Sequence, residues 1–149
     1  MMTAGRKQGG HADMRKHKIP LSKVQEAFNA AIKRRDGRCM IRDYEPCCGE
    51  LECSHFFTVG SSPALRFYPY NAWTQCQKHH HYHHTKWSEK DDWSYESWLR
   101  HNVCDELYWM KLHRHNYIKY TDELKAEIIR LCNEDRLEEL KTLIEEQLQ

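Results

Sequence analysis

Five of the eleven histidines fall within residues 79–84, in the run CQKHHHYHH that starts at Cys76. Imidazole ligates metals and exchanges protons near neutral pH. Such a density suits a hydrolytic metal site better than a solvent-facing loop. Upstream lie Cys39, Cys47, Cys48 and Cys53, then His55 and Asn71. Cys39, Cys47, His55, Asn71, Cys76 and the histidine run form one ordered constellation. The plain alternative is a solvated polyhistidine stretch beside buried thiols.

Spacing sorts these residues. Cys39 lies eight residues before Cys47, and Cys76 lies three before His79. Two such pairs across a loop make a tetrahedral zinc site of three thiolates and one imidazole. Cys48 is an alternative to Cys47. Cys47 is preferred because Gly49 and Leu51 then fall on a strand leading to His55. Cys104 and Cys132 lie in apolar helical patterns and are expected in the core. If a helix starts just after Cys76, His79 points to the zinc, and His80 is turned about 100° away at 3.6 residues per turn. His84, four residues on, shares the face of His80. One helix then offers His79 to a structural ion, and His80 with His84 to a second, catalytic ion. His83 falls on the zinc side, and His81 is expected to be exposed. His55, at a strand end opposite that helix, is placed as a general base.

The elements that must hold this site read as follows. Met1 to Lys18 is a polar, basic arm, expected to be disordered. Ser22 is a plausible N-cap for a helix through Val24, Phe28, Ala31 and Ile32, stopped by Asp36-Gly37. Lys33, Arg34 and Arg35 load its last turn, where cations suit the macrodipole and a phosphate contact is compatible. Strands are expected at Leu51–Phe57 and Ala72–Gln75. Helices return at Tyr95–His101 and Asp105–His113, with Trp98, Leu99, Leu107, Tyr108 and Leu112 supplying apolar contacts. Thr121 caps a last helix, broken near Asn133, whose stripe continues through Leu137, Leu140, Leu143 and Ile144. The fold class is therefore α+β. Domains divide as the arm (1–18), a zinc-stapled domain with flanking helices (19–120), and a helical tail (121–149) that packs or dimerises.

The chain has 149 residues and a net charge of +1, which hides an asymmetry. Residues 1–42 carry eleven Lys/Arg against three Asp/Glu, whereas residues 121–149 carry four against nine. A basic front end suggests nucleic acid as partner. No apolar run reaches membrane-spanning length and no signal-peptide stretch opens the chain, so a cytoplasmic protein without membrane contact is expected. In a reducing compartment, seven cysteines beside histidines favour metal over disulfides.

The stretch CCGELECSHFF…LRFYPYNAWTQCQKHH resembles the HNH (ββα-metal) endonucleases, and is most similar to the phage NinG (Rap) recombination family. The likeness covers roughly residues 38–120. In that pattern a histidine ends the first strand, an asparagine precedes the second, and a cysteine knuckle leads to a helical histidine. The matching residues are His55, Asn71, Cys76 with His79, and His80. The chain departs from the family in three places. The step from Cys39 to Cys47 replaces a CxxC pair. His79-His80 stands where NinG proteins have Cys-Asn. Ser54 occupies the place of a metal-binding aspartate, which leaves more of the metal binding to two helical histidines.

The resemblance implies a ββα-metal core with a structural zinc knuckle, flanked by an N-terminal helix and C-terminal helices. It also implies metal-dependent DNA cleavage in recombination, on branched or single-stranded DNA. His55 would be the base, and Asn71 would hold its loop. His80 and His84 would bind a catalytic divalent ion, Mg²⁺ or Mn²⁺ by phosphate chemistry, although imidazole also suits nickel or zinc. Arg66 is a further candidate phosphate contact. The alternative from another class is a zinc-stabilised DNA-binding module that does not cut.

Overall fold

The computed structural model describes residues 18–85 and 93–148. The expected basic arm, apart from Lys18, lies outside the described residues. Among those described, six α-helices surround one two-stranded antiparallel sheet, so the α+β expectation holds. No helix among them is long and apolar enough to cross a membrane.

Helix α1 (Leu21–Asp36) buries Val24, Phe28, Ala31 and Ile32, the apolar face read from their spacing. Its N-cap is Pro20, without a side-chain hydrogen bond, so Ser22 is not the cap. Proline fixes an extended entry and has no N–H to satisfy. Gly37 ends α1 at φ +65°, donating its N–H to Lys33 O. The chain then runs back along the sheet, where Met40 N donates to Thr74 O (2.8 Å). That pairing delivers Cys39 to the neighbourhood of Cys76.

Strand β1 (Leu51–His55) pairs with β2 (Ala72–Cys76), with Leu51 opposite Cys76 and His55 opposite Ala72. Helix α2 (Gln77–Thr85) follows β2 without a linker. The expected strand at Leu51–Phe57 therefore ends two residues early. Phe56 and Phe57 turn into a connector that contains two 3-10 turns, Pro63–Leu65 and Pro69–Asn71.

Helices α3 (Tyr95–Asn102) and α4 (Cys104–His113) pack together beside the sheet. The apolar set expected there is only partly correct. Leu99 and Leu107 are buried, but Tyr108 and Leu112 are exposed, because α4 turns Leu107 and Met110 inward instead. Cys104 is exposed at the start of α4, whereas Cys132 is buried as expected.

Thr121 caps α5 (Asp122–Asn133) by accepting from Leu124 N. The break near Asn133 is real: Asp135 takes φ 56° before α6 (Leu137–Gln147). Ile128, Leu131, Leu140 and Ile144 join one continuous core with Phe28, Ile32, Leu65 and Phe67. Burial of such side chains contributes on the order of 1.5–3 kcal/mol each.

Candidate functional site

A tight turn lies between the two halves of the cysteine-histidine cluster. Gly49 sits at φ +86°, and a Cβ there would lie 2.4 Å from Gln77 Oε1. Only glycine tolerates both the backbone and the approach. The turn lets Glu50 O accept from Gln77 N (3.0 Å) and Cys48 O from Lys78 N (3.2 Å). These carbonyls satisfy the first N–H groups of α2, which have no partner within the helix.

Cys39, Cys47, Cys76 and His79 offer ligand atoms that all lie within 4.8 Å of one another. Three thiol sulfurs surround one imidazole nitrogen. His79 Nδ1 lies 3.1 Å from Cys76 Sγ, 3.5 Å from Cys39 Sγ and 3.7 Å from Cys47 Sγ. A tetrahedral zinc with bonds of about 2.3 Å to sulfur and about 2.0 Å to nitrogen puts those atoms roughly 3.5 Å apart. One ring nitrogen cannot hydrogen-bond three thiols, but it can share an ion with them. The group thus fits a structural zinc, and it selects Cys47 over Cys48.

The remaining nitrogen of His79 settles its orientation. Nε2 lies 3.0 Å from Asp43 Oδ1, with both side chains buried. A carboxylate only accepts here, so Nε2 carries the proton and Nδ1 faces the sulfurs with its lone pair. Sequence reasoning missed Asp43. A single acid in a loop between two cysteines carries no spacing signal. Burial pushes the Cys39 thiol up to about 12. Cys76 is also buried, but donors from His79 N and Cys48 more than offset this and hold its thiol below the ordinary value.

At the other end of the sheet, His55 is mostly buried against Phe28, with ring centroids 5.7 Å apart. Its Nε2 lies 2.9 Å from Arg66 O. A carbonyl can only accept, so Nε2 bears the proton and Nδ1 is the basic nitrogen. Burial lowers the pKa of His55; the Arg66 carbonyl opposes this, and the charges of Arg66 and His80 add to it. The ring is therefore held as a neutral base in one tautomer.

Asn71 fixes the support of that ring. It is fully buried. Its Oδ1 accepts from Phe57 N (2.9 Å), and its Nδ2 donates to Phe57 O (3.0 Å) and Leu65 O (3.1 Å). Phe56 N donates to Asn71 O (2.8 Å), extending the ladder one step past β1. Leu65 precedes Arg66, so anchoring its carbonyl anchors the next one, which holds His55. Asn71 thus braces the loop through hydrogen bonds to its backbone.

Along α2 the histidines separate as helix geometry requires. His80 Nδ1 lies 3.3 Å from Glu52 Oε1 on β1, and its ring centroid is 5.1 Å from that of His84. His81 is exposed. His83 stacks on Tyr95 with centroids 4.3 Å apart, so it serves packing on α3. Burial and the neighbouring histidines push its pKa down to about 3. Among the described residues, only the cysteine-histidine group gathers three or more ligand atoms within 4.8 Å, so Glu52, His80 and His84 form a looser set. Their donors, two imidazoles and a carboxylate, still suit a divalent ion.

No family model, curated protein or solved structure matches the chain.

The cations expected at phosphates divide into two pairs. Arg35 donates to Pro69 O (2.9 Å) and Ala72 O (2.8 Å), pairs with Asp36, and lies 4.0 Å over the Trp73 ring. Asp36 in turn accepts from Thr74 N (2.8 Å). Arg34 donates to Asp135 and Cys132 O, tying α1 to the α5–α6 turn. Arg35 is therefore committed to packing, whereas Arg34 stays exposed at its ion pair. Lys33 and Arg66 instead line one open groove with Gln25 and Asn29, where Arg66 Nε donates to Gln25 Oε1 (2.7 Å).

Proposed function

We propose that this chain is a metal-dependent DNA endonuclease with a zinc-stapled ββα-metal core. The observation that carries the reading is the His55 assembly. A partly buried imidazole donates through Nε2 to a fixed carbonyl, keeps Nδ1 basic, and sits at the end of the strand beside a histidine-bearing helix. One zinc staple does not need this device. A general base does.

In this reading His55 Nδ1 takes a proton from a water molecule. The water oxygen attacks the scissile phosphorus in line, and the opposite P–O ester bond breaks. The departing oxygen then acquires a proton from solvent. Asn71 keeps Leu65 and Arg66 in place, so the base does not drift. A divalent ion bound by His80 and His84 would supply positive charge to a phosphate oxygen and to the leaving oxygen. The Arg66 and Lys33 side chains, on a groove whose rim includes the residue that orients His55, would contact flanking phosphates. The resemblance to NinG proteins extends the proposal to phage DNA recombination in a host cytoplasm, on branched or single-stranded DNA.

One observation favours a second reading, a zinc-stabilised DNA-binding module that does not cut. The only ligand group that closes fully among the described residues is the structural one. A cleavage assay on linear, single-stranded and branched DNA, with Mg²⁺, Mn²⁺ or chelator, separates the two. The nuclease reading expects chelator-sensitive cutting. DNA binding without cutting, with one zinc per chain and no weaker ion, supports the module.

A further inference from the structure

We infer that Glu52 is a ligand of the ion site on α2, making it a two-histidine, one-carboxylate site whose hold on hard cations such as Mn²⁺ depends on that carboxylate more than its hold on Ni²⁺ does. The inference rests on the nuclease reading for the site's purpose, but not for its existence.

Three observations carry it. The first is distance. Glu52 Oε1 and His80 Nδ1 are 3.3 Å apart, from different elements. Two ligands each about 2.1 Å from one ion, separated by roughly 90–110°, lie about 3.0–3.4 Å apart. The spacing is long for a charge-assisted hydrogen bond, which runs to about 2.7–2.9 Å. The second is access. The Glu52 side chain is 44% exposed and that of His80 25%, so a hydrated ion can reach both.

The third is the lack of another oxygen donor on that side of β1. Residues two apart on a strand project from the same face. Ser54 therefore shares the face of Glu52, but it is fully buried, with its Oγ lacking a hydrogen-bond partner among the described residues. His55, at the strand end beside Phe28, offers nitrogen and no oxygen. Glu52 is thus the residue of β1 able to give a carboxylate to an ion beside His80. The chemistry also asks for it. Two neutral imidazoles leave both charges of a divalent ion unbalanced, and imidazole alone favours nickel, copper or zinc. A carboxylate lowers the net charge and supplies the oxygen that Mg²⁺ and Mn²⁺ select.

The test is a titration of the zinc-loaded full chain with Mn²⁺ alone, read by the loss of the free-ion EPR signal, and a parallel titration with Ni²⁺. Glu52→Gln is expected to weaken Mn²⁺ binding about tenfold or more and Ni²⁺ binding distinctly less, with zinc content and melting temperature unchanged. Glu52→Asp, which keeps the charge on a shorter stem, should fall between. His80→Ala should weaken both ions. If Glu52→Gln binds Mn²⁺ like the wild type while His80→Ala does not, Glu52 is no ligand, although the ion site stands. Equal losses of both ions in Glu52→Gln would make Glu52 a mere support for the His80 ring, and would also overturn the inference. If His80→Ala and His84→Ala both bind as the wild type does, the ion site itself is absent, and Glu52 falls with it.

Discussion

At the scale of single residues, two imidazoles are aimed by the same rule applied to the same nitrogen. His79 gives its Nε2 proton to Asp43 and turns Nδ1 to three sulfurs. His55 donates from Nε2 to Arg66 O and keeps Nδ1 as the acceptor. An acceptor behind the ring decides what the other nitrogen can do. Asp43→Ala should therefore weaken zinc binding by about 10–100-fold, the usual effect of losing such a partner. Competition with a colorimetric chelator measures it, and an unchanged affinity would remove Asp43 from the account. His55 also sets a pH dependence. Burial lowers its pKa, so the neutral base persists to lower pH than a free imidazole, whose value is about 6.5. The rate should hold as pH falls through that value and drop only below it. An acidic limb centred above about 6.5 would mean that His55 is not the group being titrated.

At the scale of elements, the site depends on how α1, the sheet and α2 are fastened. Arg35 and Asp36 link the end of α1 to the Pro69–Asn71 turn and to β2. Arg35→Ala leaves two backbone carbonyls without their donor and should cost about 1–3 kcal/mol in urea unfolding. Lys33→Ala, two residues away and exposed, should change stability by less than about 0.5 kcal/mol, yet make the salt dependence of DNA binding shallower. The reverse pattern would exchange the roles assigned to the two cations. The contrast shows what was legible beforehand. Periodicity exposed the buried face of α1, and helix spacing separated His79 from His80 and His84, because both follow from backbone geometry. The cluster of Cys39, Cys47, Cys76 and His79, which could hold a metal such as zinc, was legible from the two spaced pairs. Partners chosen by tertiary contact were not. Nothing local says that Arg35 turns inward while Lys33 stays out. Nothing local marks Asp43 or Glu52, each of which meets a residue some thirty positions away. Cys104 reads as apolar helix but faces solvent, because α4 packs through Leu107 and Met110.

At the scale of the whole molecule, charge and packing are divided along the chain. The acidic C-terminal helices complete the core on α1, and the N-terminal end is tied to them: Ile19 N donates to Asp122 and Lys125 Nζ donates to Ile19 O (2.9 Å). A truncation that stops before Lys18 spares this tie and removes four Lys/Arg. If those cations meet phosphates, the logarithmic salt slope of duplex binding should become shallower by up to about 3–4, at roughly 0.9 per contact. An identical slope would show that the arm does not touch DNA. The central claim is that one fold joins a structural zinc to a poised base, and one measurement tests it most directly. It is single-turnover DNA cleavage by His55→Ala against the wild type, both zinc-loaded and saturated with Mn²⁺. The account predicts equal zinc content, a retained fold and equal DNA affinity, with cleavage slower by roughly two to four orders of magnitude, the usual worth of a general base. Cleavage by His55→Ala at the wild-type rate would contradict it.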